Sequence, residues 1–116
     1  MNKYTVILCT PAATMDKWMQ TTGEEERKAG MDKMMTDWKA WADKHAANIV
    51  EQGTPLGKTK RVTASGITDV RNDFNYTMVV QADSHDAAAA LFTDNPHIAT
   101  IPDSYIEVMD APHMEM

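Results

Sequence analysis

Cysteine is nearly absent from this chain: one thiol, Cys9, stands among 116 residues. A single cysteine excludes an internal disulfide and any cysteine-rich metal centre, and it fits a reducing compartment. Long apolar runs are also missing. The longest, Val6-Ile7-Leu8-Cys9, is far too short to cross a bilayer. The apolar stretch between Lys3 and Pro11 is too brief for the hydrophobic region of a signal peptide, so a cytoplasmic address is expected. Basic residues are outnumbered, with a net charge of −6, and the only basic cluster is Lys58-Thr59-Lys60-Arg61. That balance disfavours a nucleic-acid partner, because phosphate backbones are held by excess Lys and Arg.

Apolar residues at 43% and charged residues at 24% describe an ordinary globular domain. A chain of this length buries roughly two thirds of its extended surface around one core, so residues 1–110 read as one domain and 111–116 as a flexible tail. Ten methionines are many for this size, and their flexible thioethers suit irregular apolar gaps.

Alternating and β-branched residues predict a strand over Tyr4 to Thr10, closed by Pro11, with Cys9 as a buried thiol within it. Thr14 is placed to cap a short helix over Met15 to Met19. Thr22 with Glu25 has the spacing of a capping box, and Glu24, Glu25 and Glu26 complement the positive end of the long helix that follows. Gly30 offers that helix a kink or break. Beyond it, Met31, Met34, Met35, Trp38, Trp41, Ala42, His45 and Ile49 recur on one face, with charged residues opposite. Asn48, Gly53 and Pro55 are expected to end the helix and turn the chain back. An irregular hairpin follows over Lys60 to Ala64, with a Ser65-Gly66 turn and a loop at Arg71-Asn72-Asp73. Asn75 to Ala82 reads as a central strand, and Asp83 or Ser84 caps a helix over Asp86 to Thr93. Asn95-Pro96 stops that helix, and Tyr105 to Met109 forms the last strand.

Strand, helix, two strands, helix, strand is the split βαβ order of a ferredoxin-like α+β sandwich with an antiparallel sheet. Its helices cover one face, while apolar residues point to both. A homodimer joined through the sheet faces is therefore expected, since closed symmetric pairs are the commonest oligomers.

Trp38-Lys39-Ala40-Trp41, Gly53-Thr54-Pro55-Leu56-Gly57-Lys58-Thr59, Tyr76 through Gln81-Ala82-Asp83-Ser84, Pro96-His97 and Ile106-Glu107-Val108 together resemble the YCII-related family. The resemblance spans roughly Tyr4 to Asp110 and implies a dimeric α/β barrel of ferredoxin-like halves. Some YCII-related proteins carry a His on the long helix and an Asp-Pro pair after the second helix, proposed as an acid/base dyad, and one branch acts as a dehydrochlorinase on ring-derived acids. Here Thr36 and Asn95-Pro96 stand at those positions, and an amide cannot shuttle a proton as a carboxylate can.

His97, beside Asp94 in sequence, is a candidate general base or polar ligand contact, because a histidine pKa lies near neutrality. His45 on the apolar helix face and Glu107 on the last strand are the other catalytic candidates. Each also reads as structural, His45 as a hydrogen-bonded core residue and Glu107 as half of an ion pair. Trp38, Trp41, Met35 and Tyr76 are candidates to bind a small, partly apolar molecule between helix and sheet, or to serve as core. The histidines lack metal-ligand spacing beyond the Asp94/His97 pair, and no glycine-rich phosphate loop or serine nucleophile elbow occurs, so neither metal nor cofactor is expected. Three readings stay open: a ligand-binding dimer, a lyase or cofactor-free oxygenase-like enzyme using a His/carboxylate pair, and a structural or interaction module.

Overall fold

Strand β1 (Asn2–Cys9) runs through the middle of a four-stranded sheet, flanked on one side by β5 (Phe74–Ala82) and on the other by β6 (Tyr105–Asp110). Strand β2 (Ile49–Pro55) pairs with the far side of β5, and every pairing is antiparallel. The order is thus β2-β5-β1-β6. The structure, a computed structural model, describes residues 1–112; of the expected tail, Ala111 and Pro112 are exposed and without regular structure, and the rest lies outside the described residues, His113 included.

Four α-helices are present among the described residues: α1 (Ala12–Thr21), α2 (Glu24–Lys44), α3 (His85–Ala90) and α4 (His97–Thr100). The chain is therefore α+β with an antiparallel sheet. The core forms where the helices meet one sheet face, joining Tyr4, Val6 and Leu8 of β1, Met78, Val80 and Ala82 of β5, Trp41 of α2, Ala88 of α3 and Phe92. Register explains the segregation. Val6 faces Met78 on one side and Val108 on the other, so the even-numbered residues of three strands share the helix side.

Several local expectations are corrected. Thr22 does not cap α2, because α1 runs to Thr21 and Thr22 ends it, its N–H donating to the Trp18 carbonyl. Gly23 takes the cap position with no side-chain hydrogen bond, although Glu24, Glu25 and Glu26 do occupy the first turn. Helix α1 starts at Ala12 rather than Met15; its cap comes from afar, Asp73 Oδ1 accepting from the Ala12 N–H at 3.1 Å. Helix α2 continues through Gly30 and ends at Lys44, with His45 at its C-cap.

The largest correction concerns the passage after α2. Expected only as a turn, it contains β2, whose pairing with β5 shifts register between Glu51 and Thr54. Gly53 sits at that bulge with φ 91°, and a Cβ there would lie 1.9 Å from the Thr77 carbonyl oxygen. Only glycine fits this approach. Pro55 is tolerated because β2 is an edge strand. The expected hairpin exists as β3 (Thr59–Thr63) and β4 (Gly66–Val70), but it forms a separate two-stranded ribbon between β2 and β5.

The sheet face away from the helices carries Thr5, Ile7, Thr77, Val79 and Gln81, all partly buried, with Glu107 and Met109 exposed. No helix of the described residues is long and apolar enough to cross a membrane.

Candidate functional site

A cleft of about 470 Å³ opens between the helices and the sheet. Its floor is Leu8 of β1 and Tyr76 of β5, which face each other across the register, and one wall is Met31, Met34, Met35 and Trp38 of α2. Helical spacing accounts for that wall, since residues three and four apart line one face. Met15 of α1 and Pro55 of β2 close the sides; Thr10, Asn75, His97, Thr100 and Ile101 complete the lining. Trp38 meets Tyr76 edge-on, their rings 5.6 Å apart, and the Tyr76 hydroxyl donates to the Gln52 carbonyl at 2.7 Å.

His97 is buried at the first residue of α4. Its Nε2 lies 2.8 Å from the Cys9 carbonyl oxygen, and a carbonyl only accepts, so Nε2 carries the proton. Burial lowers the imidazole's affinity for a second proton more than the Cys9 carbonyl restores it. The ring is therefore neutral near pH 7 and its Nδ1 keeps a lone pair. That atom has no hydrogen bond among the described residues and is not one of the sealed, unpartnered polar atoms. Asn95 holds the turn into α4, its Oδ1 accepting from the His97 N–H at 2.9 Å. The Asn95 amide is thus a turn-forming group. Thr36 is exposed and its hydroxyl donates back to the Asp32 carbonyl.

Asn75 supplies the other notable polar group. Its Oδ1 is buried with no hydrogen-bond partner. Thr10 and Thr100, by contrast, are satisfied: Thr10 by the Ser104 hydroxyl at 2.8 Å, Thr100 by the Pro96 carbonyl at 2.9 Å.

Met35, Trp38, Tyr76 and His97 are thus brought together, while Trp41, His45 and Glu107 are not. Trp41 is a core residue, 4% exposed, its indole N–H shared between the Leu91 carbonyl at 3.0 Å and Asp94 Oδ1 at 3.1 Å. His45 packs on Trp41, and its Nε2 lies 3.5 Å from Asp94 Oδ1 without the geometry of a hydrogen bond. Asp94 is held below the usual carboxylate range mainly by the Lys44 ammonium at 2.7 Å. It therefore serves Trp41 and Lys44 and stands apart from the cleft.

Glu107 lies opposite Ile7, on the sheet face away from the cleft. Neither Arg61 nor Arg71 pairs with it; Arg71 makes a two-pronged contact with Asp16 on α1, at 2.9 and 3.0 Å. The buried Cys9 thiol is pushed up in pKa by its burial and then by the nearby Glu107 carboxylate, so it is a poor nucleophile. Tyr105 donates to Asp73 Oδ2 at 2.9 Å, which raises its pKa to about 12.

Sequence reasoning missed Met15, Asn75, Thr10 and Thr100 as lining residues. Met31 and Met34 were legible as apolar helix positions, but nothing in the pattern distinguished a cleft wall from packed core. Among the described residues, no cluster of three His, Cys, Asp or Glu side chains could hold a metal ion. In comparisons with known proteins, no family model and no curated sequence matches this chain.

Proposed function

We propose that this chain is a YCII-related, dimeric protein that binds a small, partly apolar molecule between α2 and the sheet. The observation that carries the binding reading is the cleft itself. At about 470 Å³ it lies within the range of small-molecule sites, and its walls are apolar and aromatic with a few polar groups. The family reading rests on the residues that resemble it and is supported by the strand order β2-β5-β1-β6, consistent with a ferredoxin-like sandwich interrupted by the β3–β4 ribbon.

Shape supports the dimer. The radius of gyration is 16.0 Å, against about 13 Å for a compact chain of this length. The chain forms a slab only 19 Å thick, close to one sheet and one helix layer. A second copy laid against the open face would cover Ile7, Val79 and Met109 and complete a dimeric α/β barrel. Sedimentation should give twice the chain mass of 12.9 kDa; a monomer throughout the micromolar range rejects the dimer.

Binding is tested with the neutral fluorescent dye N-phenyl-1-naphthylamine. Saturable binding at one site per chain, weakened about tenfold or more by Trp38→Ala, is expected. Featureless, unsaturable titration sinks the reading.

One observation favours a second reading, an enzyme of the lyase type. His97 presents a neutral imidazole to the cleft with its tautomer set by the Cys9 carbonyl, as a general base requires. Glu107, on the other sheet face, does not assist it. Catalysed exchange of a carbon-bound proton into deuterated solvent by a cleft ligand, lost in His97→Gln, would support this reading.

A further inference from the structure

The cleft has a neighbour. A second hollow of about 420 Å³ lies beneath α1, lined by Trp18, Met19 and, from the first turns of α2, Glu24, Arg27 and Lys28, and it shares Met15, Met31 and Ile101 with the first. Two of the three residues between the hollows are methionines, whose side chains turn about three bonds with little preference. Helix α1 has no buried residue. Rotation of Met15 and Met31 would join the two hollows, past the buried Ile101, into one long slot.

The chemistry of the slot's inner end is narrow. No Asp, Glu, Lys or Arg lines the first cleft, so a charged ligand head would be buried there without a counter-ion. The lining acceptor left open is His97 Nδ1, which makes no hydrogen bond among the described residues, whereas Asn75 Oδ1 is sealed without a partner.

Resting on the binding reading, we propose that the ligand is an uncharged long-chain amphiphile with a hydrogen-bond-donating head, an aliphatic alcohol or primary amide. Its head donates to His97 Nδ1, and its chain runs past Met15 and Met31 into the hollow beneath α1. The methionine content of the chain thereby gains a use, since four methionines line the cleft, Met31 and Met35 at its exposed rim, and Met19 extends the lining outward.

The test is displacement of the bound dye by a series from 1-butanol to 1-decanol, with decyl methyl ether and decanoate as controls. Affinity should rise about fourfold per methylene while the chain is still entering the slot. Decanol should exceed both its methyl ether and decanoate by about tenfold or more. Met31→Trp, which fills the passage, should abolish the gain with chain length. In the unaltered protein, decanol but not butanol should shift the ¹³C-methyl resonances of Met19. A flat chain-length series, or decanoate binding as tightly as decanol, overturns the proposal while dye binding preserves the underlying reading. Failure of the dye itself to bind removes both.

Discussion

Replacing Trp41 by Ala should cost about 4–5 kcal/mol of folding stability. The side chain is 4% exposed and its ring packs on Trp38, His45 and Phe92, with centroids 5.4, 5.1 and 5.0 Å away. Truncating a buried indole costs about 3–5 kcal/mol through lost transfer energy and the cavity left behind. Loss of the shared N–H bond adds about 1 kcal/mol, tempered because Asp94 is exposed and keeps Lys44. Such a loss consumes much of the 5–15 kcal/mol typical of a domain. Trp41→Phe keeps most of the ring contacts but no donor, so about 1–2 kcal/mol is expected. Trp38→Ala should destabilise less than Trp41→Ala, because one side of that ring already faces the cleft, yet it should weaken dye binding most. The assay is urea unfolding followed by far-ultraviolet circular dichroism at fixed protein concentration, since the proposed dimer would link stability to concentration. A Trp41→Ala cost below about 1.5 kcal/mol with an unchanged denaturant slope would refute the assignment of Trp41 to the core.

Gly53→Ala should destabilise by more than about 2 kcal/mol, because its positive φ and the Thr77 carbonyl leave no room for a methyl group. Gly30→Ala is the contrasting case: nothing lies within 4 Å of the added carbon, so a gain of about 0.5–1 kcal/mol is expected in the same unfolding assay. Ser84→Ala removes the side-chain cap on the Ala87 N–H and should cost about 1 kcal/mol. His97 carries a pH signature. Burial lowers its folded pKa, so the unfolded chain takes up the proton first; the contribution is complete above about pH 6.5 and is lost as pH falls toward the depressed folded value. Urea midpoints of the native chain relative to His97→Gln should fall across that window; a constant difference would show that His97 is solvated.

Periodicity made the α+β class and most elements legible. The strand at β1, the long α2, the strand at β5, a cap at Asp83 or Ser84 and the last strand all follow from local patterns that need no knowledge of neighbours. β2 was not legible, because Gly53 and Pro55 are turn residues in isolation and become strand residues only at an edge bulge against Thr77. The α1 cap was equally hidden, since its acceptor, Asp73, lies far away in sequence.

For the candidate site the division is sharper. The spacing of Met31, Met34, Met35, Trp38 and Trp41 on one helix face was set by the sequence through the 3.6-residue turn. Which of them meets solvent, ligand or core depends on what the opposite surface supplies. Under Trp41 the structure brings Phe92 and the Leu91 carbonyl; under Trp38 it brings Tyr76 and an open cleft. By itself the sequence determined the elements and their apolar faces, because these depend on local backbone geometry. Tertiary structure alone decided that His97 and Asn75 share a cavity with four methionines while Glu107 lies across the sheet, because those placements are made by strand register and helix packing between residues distant along the chain.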